Sequence, residues 1–162
     1  MAKTLLILRH AKSSWAEAEK SDKDRALKAK GISDIVNTAR NFAPKVQGLD
    51  LIITSSANRA VHTAILFAET IGFPHDKIRI DPMVYQADEG ELQEIIRSLP
   101  DAHQCVMVVG HNPTLTYLAN RFVPNQINEL PTSGLVGVEF DINGWSELSA
   151  DKVNSVFRSF DW

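Results

Sequence analysis

The chain has 162 residues, 44% hydrophobic and 23% charged, with a formal net charge of −3. A chain of this size buries about two-thirds of its unfolded surface in one core, and 17 Lys and Arg against 20 Asp and Glu leave no basic stripe to invite nucleic acid or an anionic membrane. The lone Cys105 excludes an internal disulfide and fits a reducing compartment, and the apolar run Leu5 to Leu8 is too short for a signal peptide or a spanning helix; the expectation is one cytoplasmic domain over residues 1–162.

Apolar runs alternate with segments of helical period. Residues 3–9 (KTLLILR) are apolar enough for a strand covered on both faces. Residues 32–43 place Ile32, Ile35, Val36, Ala39, Phe42 and Ala43 at helical spacing, with Gly31 before them and Pro44 after. A second strand is predicted at 49–54 and a helix at 57–72, with Ser55 or Ser56 as N-cap and Gly72 as its C-terminal stop. Then come a short strand (77–81), a helix (90–99) halted by Pro100, a buried strand (104–110) and a helix (113–123) with Pro113 in its first turn. Residues 134–144 and 152–161 read as two late antiparallel strands at the sheet edge. This order predicts an α/β domain with a mostly parallel sheet.

In such sheets ligands bind outside the carboxyl ends of the strands. Three strands end alike: "LRH" after the first, "TSSANR" after the second, "VGHN" after the third long one. Taken singly, each ending is an ordinary polar edge. Brought together, they supply two arginines, two histidines and several hydroxyls, which is the composition of a phosphate site. Arg9 and Arg59 offer fixed, permanently charged forks to phosphoryl oxygens. One neutral imidazole of His10 and His111 can attack phosphorus, and the other can bind an equatorial oxygen. A metal site is disfavoured, because there is no HxxxH pair or cysteine cluster and two arginines repel a cation. No cofactor is implied. His62 reads as a helix-surface or packing residue, His75 and His103 as loop residues, Cys105 as core, and Asp22 to Arg25 as a mixed-charge loop in which Arg25 is a candidate to reach the substrate.

The stretches "LRHAKSSW", "SSANRAVHTA", "VVGHNPTL" and "LPTSGLVGVEF" resemble the four signatures of the histidine phosphatase superfamily, and more narrowly its SixA-type phosphohistidine phosphatases. "DRALKAKG" (Asp24 to Gly31) matches a further family segment. The resemblance implies a three-layer α/β/α, phosphoglycerate-mutase-like fold and a metal-independent phosphatase. In it His10 would be the phosphorylated nucleophile, Arg9 and Arg59 the phosphoryl clamps, and His111 a donor from the opposite side. His10 would then need its second ring nitrogen to donate to an acceptor such as a backbone carbonyl. Arg25, Lys12, Ser13 and Thr132 are the candidates for further substrate contacts, with Trp15 beside them. The expected partner is a protein carrying phosphohistidine or a small phosphorylated substrate, with a phosphate ion in the site.

Two departures bear on the substrate. Mutase-like members have an asparagine where this chain has Ala16, and they carry a glutamate acid in a recognisable segment after the third strand. Here that region offers Asp88, Glu89 and Glu91 with no choice among them. An alkoxide leaving group needs a proton donor, whereas phosphohistidine releases an imidazole whose conjugate acid has a pKa of about 6.5. The site therefore suits a phosphoramidate better than an alkyl ester. The competing readings are a phosphatase of a small ester or anhydride, and a non-catalytic phospho-ligand binding module on the same fold.

Overall fold

A computed structural model describes residues 2–15 and 21–160; Ala16, and Asp161 at the end of the last predicted strand, lie outside the described residues. Six strands form one sheet: β1 (Ala2–Arg9), β2 (Leu51–Thr54), β3 (Ile78–Ile80), β4 (Cys105–Gly110), β5 (Leu135–Asp141) and β6 (Val153–Arg158), in the order β3-β2-β4-β1-β5-β6. The four strands from β3 to β1 are parallel, β5 runs antiparallel to β1, and β6 closes the edge antiparallel to β5. Among the described residues, five α-helices cover the faces: α1 (Ala29–Phe42), α2 (Asn58–Ile71), α3 (Pro82–Gln86), α4 (Glu89–Arg97) and α5 (Thr114–Asn120).

The β1 run explains the layering. Successive side chains of a strand point to opposite faces. Leu5 and Ile7 thus enter one core with residues of α4 and α5, while Leu6 and Leu8 enter the other with residues of α1 and α2. All four are fully buried, each stabilising the fold by roughly 1.5–3 kcal/mol. The result is the three-layer α/β/α arrangement expected from the sequence. Among the described residues no helix is long and apolar enough to cross a membrane.

Several boundaries differ from the sequence reading. Helix α1 begins at Ala29, so Gly31 lies inside its first turn rather than before it. The reason is close approach: a Cβ on Gly31 would stand 2.3 Å from the Lys12 carbonyl oxygen, which also accepts from Lys28 N–H at 2.9 Å. Helix α2 has Ala57 as its N-cap with no side-chain cap, so neither Ser55 nor Ser56 takes that role, although Gly72 ends the helix left-handed (φ 75°) as expected. Pro113 is the N-cap of α5 rather than a first-turn residue. Helix α5 also stops at Asn120, whose side chain bonds the Ile127 peptide on both sides. Helix α3 is absent from the sequence reading. Its signals are Asp81, which caps Met83 N–H through its carboxylate, and Pro82 at the first helical position.

Register decides what meets at the carboxyl edge. Arg9 pairs with Gly110 across β1 and β4, and Thr54 pairs with Val109 across β2 and β4. The ladder runs one residue further, with His10 N–H donating to Gly110 O at 3.1 Å and Ser55 N–H to Val109 O at 3.0 Å. His10, Ser55 and His111 therefore emerge side by side.

Candidate active site

His10 and His111 face each other with ring centroids 5.2 Å apart. His10 Nδ1 lies 2.7 Å from the Ala11 carbonyl oxygen. A carbonyl only accepts, so Nδ1 carries the proton and Nε2 keeps its lone pair. The ring is held in place through its neighbour: Ala11 N–H donates to Thr63 Oγ1 at 2.9 Å, and that hydroxyl donates to Arg59 O at 2.6 Å. The first turn of α2 and the end of β1 are thereby tied together. Burial pushes the His10 pKa down to about 3, the Ala11 hydrogen bond opposing it and the charges of His111, Arg59 and Arg9 adding to it. The imidazole is neutral at physiological pH.

His111 is set by Ser55. Ser55 Oγ accepts from Ala57 N–H at 3.2 Å and lies 2.7 Å from His111 Nε2. Ser55 is fully buried, and among the described residues His111 Nε2 is the acceptor that its hydroxyl proton meets, so the hydroxyl donates to Nε2 and the His111 proton sits on Nδ1. That Nδ1 is buried and has no hydrogen-bond partner among the described residues. Burial, then the Arg59 charge, lowers the His111 pKa to about 4, with Asp22 opposing.

The arginines follow one scheme. Arg9 donates through Nη1 to Leu130 O at 2.9 Å and to the exposed Glu129 carboxylate at 3.5 Å. Arg59 donates through Nη1 to Asp22 O at 2.6 Å and through Nη2 to Asp22 Oδ2 at 2.9 Å. In each case Nε is buried and has no partner among the described residues. Two guanidinium Nε–H groups and one imidazole Nδ1–H thus remain as desolvated donors close to a neutral imidazole. Donors of this kind, left without partners among the described residues, are suited to an oxyanion.

The remaining predicted residues fall into place unequally. Arg25 is buried against Asp22 (Nε to Oδ1, 3.1 Å) and Ser13 (Nη1 to Oγ, 2.8 Å), and its guanidinium stacks 3.5 Å from the ring of the exposed Trp15. Lys12 is exposed. Thr132 lines a cleft beside α1 with Asp34, Thr38 and Phe160; from its loop it is Leu130 O and Ser133 N–H that reach the Arg9–His10 pair. His62 is exposed on α2, and Cys105 is buried. The three carboxylates considered as acids are engaged elsewhere: Asp88 and Glu91 cap α4 reciprocally, and Glu89 accepts from Arg121 Nε at 2.6 Å. Among the described residues no group of three or more His, Cys, Asp or Glu is placed to hold a metal ion.

Asp22 and Tyr85 are the residues that sequence reasoning missed. The mixed-charge loop folds into a turn that brings Asp22 onto Arg59, and Tyr85 on α3 donates its hydroxyl to Asp22 Oδ2 at 2.8 Å while its ring meets His111 edge-on. Burial alone would raise the Asp22 pKa. Hydrogen bonds from Tyr85 and Arg59, with the charges of Arg59 and Arg25, outweigh it and hold the carboxyl down to about 2.

The two histidines also tie stability to pH. Between about pH 3 and 6.5 the folded chain binds fewer protons at His10 and His111 than the unfolded chain does. Unfolding then takes up protons, and stability falls as pH drops below 6.5. On going from about pH 7 to about pH 4.5, the melting temperature of the wild type should fall further than that of His10→Asn. Calorimetry across that range checks it; equal falls would contradict the burial of a neutral His10.

A neutral, oriented histidine among buried cationic donors at the carboxyl edge of an α/β sheet has the makings of a phosphatase. The chain belongs to the histidine phosphatase superfamily (branch 1), whose family model matches residues 5–104. It is 30% identical over 159 residues to an uncharacterized chloroplastic protein of Arabidopsis thaliana, covering 93% of this chain and 72% of that one. Its structure resembles two proteins designated phosphohistidine phosphatase SixA. That of Nakamurella multipartitia gives a TM-score of 0.80 at 19% identity over 97% of this chain and 96% of the other. That of Agrobacterium tumefaciens gives 0.75 at 27% identity over 85% and 92%. A protein histidine phosphatase SixA complexed with tungstate gives 0.74 at 20% identity over 98% and 94%.

Proposed function

We propose that this phosphatase hydrolyses phosphohistidine carried on a protein, without a metal ion and in the cytoplasm, through a phosphorylated His10. The substrate phosphohistidine enters with its far ring nitrogen protonated; His10 Nε2 attacks phosphorus, the bond from phosphorus to the substrate nitrogen breaks, and neutral imidazole leaves with that proton. Water then attacks phospho-His10, the bond to Nε2 breaks, and phosphate departs. Arg9, Arg59 and His111 Nδ1–H bind the equatorial oxygens as charge spreads over them.

One observation carries the choice of substrate: among the described residues, every carboxyl group around His10 is engaged elsewhere, Glu129 with Arg9 included, and none is poised as an acid. Asp22 is held ionised by Arg59 and Tyr85, and Asp88, Glu89 and Glu91 are committed to the α4 cap and to Arg121. A leaving group that needs no strong acid is favoured, and imidazole is one. Similarity to proteins designated SixA supports the same reading.

The test compares a histidine-phosphorylated protein with sugar phosphates and a phosphoserine peptide. The expected kcat/KM preference for phosphohistidine is about a hundredfold or more, and Asp88→Asn and Glu89→Gln should each lower that activity by less than about tenfold. A preference for the esters, or a loss of about a thousandfold in either variant, would overturn the proposal.

A further inference from the structure

We infer that Asp22 is a positioning residue: it takes both Nη groups of Arg59 and so presents the Nε edge of that guanidinium to the phosphoryl group. The inference rests on reading the Arg9–His10–Arg59–His111 cluster as a phosphoryl site.

A guanidinium has two in-plane edges able to bind a two-oxygen partner, the Nη1/Nη2 end and the Nε/Nη2 side. Asp22 occupies the end with two oxygens of different kinds, its main-chain carbonyl on Nη1 at 2.6 Å and Oδ2 on Nη2 at 2.9 Å. The side edge keeps a buried Nε without a partner among the described residues. Arg9 repeats the pattern: a main-chain carbonyl (Leu130) and a carboxylate (Glu129) sit on Nη1, and Nε is buried and unpartnered. The two anchors differ in quality. Glu129 is mostly exposed and 3.5 Å away, so its screened charge holds little.

The Asp22 carboxylate is itself fixed. Oδ2 also accepts from Tyr85 at 2.8 Å, and Oδ1 accepts from Arg25 Nε at 3.1 Å. Arg25 is clamped between Ser13 Oγ and the Trp15 ring. Ser13 pairs with Leu27, Ser14 N–H donates to Ala26 O, and Lys28 N–H to Lys12 O, so the segment leaving His10 and the segment leaving Asp22 brace each other. A carboxylate held by three side-chain donors keeps its orientation, and so does the arginine bound to it.

The opposite role would have the carboxylate compete with phosphate for Arg59, and the two roles differ in sign. Asp22→Ala and Asp22→Asn are made in the full chain, alone and combined with Arg59→Ala. Tungstate affinity is measured by calorimetry, kcat/KM with a generic aryl phosphate, and folding by thermal melting. Positioning through Arg59 predicts tungstate binding about tenfold weaker in Asp22→Ala and less affected in Asp22→Asn, which keeps an amide oxygen. It also predicts no further loss of kcat/KM when Asp22→Ala is added to Arg59→Ala, because the pair acts as one unit. Should Asp22→Ala fail to fold, Asp22→Asn carries the same test. Tighter tungstate binding on removing the carboxylate, or losses that multiply in the double variant, would overturn the inference. Wild-type binding left unchanged by both substitutions would do the same. If the wild type itself binds no tungstate, the phosphoryl-site reading falls and takes this one with it.

Discussion

Replacing His10 by alanine is expected to lower phosphatase turnover by roughly 10⁴–10⁶-fold and to remove a phosphorylated form of the protein. Three features combine in the imidazole. Its Nδ1–H is committed to Ala11 O, so Nε2 is the attacking atom. Burial keeps it neutral, with its pKa pushed down to about 3. The Thr63 hydroxyl fixes Ala11, and with it the ring. His111 does not substitute as the nucleophile, because its Nε2 is occupied by Ser55. The check is intact-protein mass spectrometry after a non-acidic quench with a phosphodonor. The wild type should gain one phosphate, stable to alkali and lost in acid, while His10→Ala gains none. Equal phosphate release from both proteins would remove His10 as the nucleophile. If neither releases phosphate although both bind tungstate, the chain is a phospho-ligand binding module.

The legible part of this molecule is the part written in local chemistry. Leu5 to Leu8, Leu51 to Ile53 and Val106 to Val109 are apolar because both faces of the sheet are covered, and a reader of the chain sees that at once. The polar residues after each run are visible too, since parallel topology puts strand ends on one edge. Arg9, His10, Arg59 and His111 were therefore recoverable as a group. Asp22 was not. Its value comes from contacts 37 residues away with Arg59 and 63 away with Tyr85, and nothing within "SDKDR" distinguishes it from Asp24. The reading of Ser55 or Ser56 as an N-cap has a similar source: a serine before a helix has that signature, but the Ser55 hydroxyl is turned to His111, just beyond the end of β4. Gly31 shows the converse. Its place in "DRALKAKG" is visible in the sequence, yet the reason for a glycine there appears only when the Lys12 backbone is seen against it.

Arg59→Ala is expected to lower kcat/KM by about 10²–10³-fold, the range found for removing a preorganised donor to a developing oxyanion. Arg9→Ala should fall in the same range, because both guanidiniums leave a buried Nε unpartnered. The informative variant is Arg59→Lys. Lysine restores the charge but not the planar group, so it cannot hold Asp22 at one edge and the phosphoryl group at the other. It should therefore remain more than about tenfold below the wild type. Activity within that margin would mean that Arg59 acts through charge alone. Steady-state kinetics with an aryl phosphate separates these outcomes, and the pH profile adds an independent reading. Arg59 is among the charges that depress the His10 pKa, but burial is the largest cause. Its removal should thus raise that pKa and move the acid limb of kcat/KM upward, while leaving His10 neutral at physiological pH. A large rate loss at neutral pH with only a small movement of the acid limb would locate the effect of Arg59 on the transition state rather than on the protonation of the nucleophile.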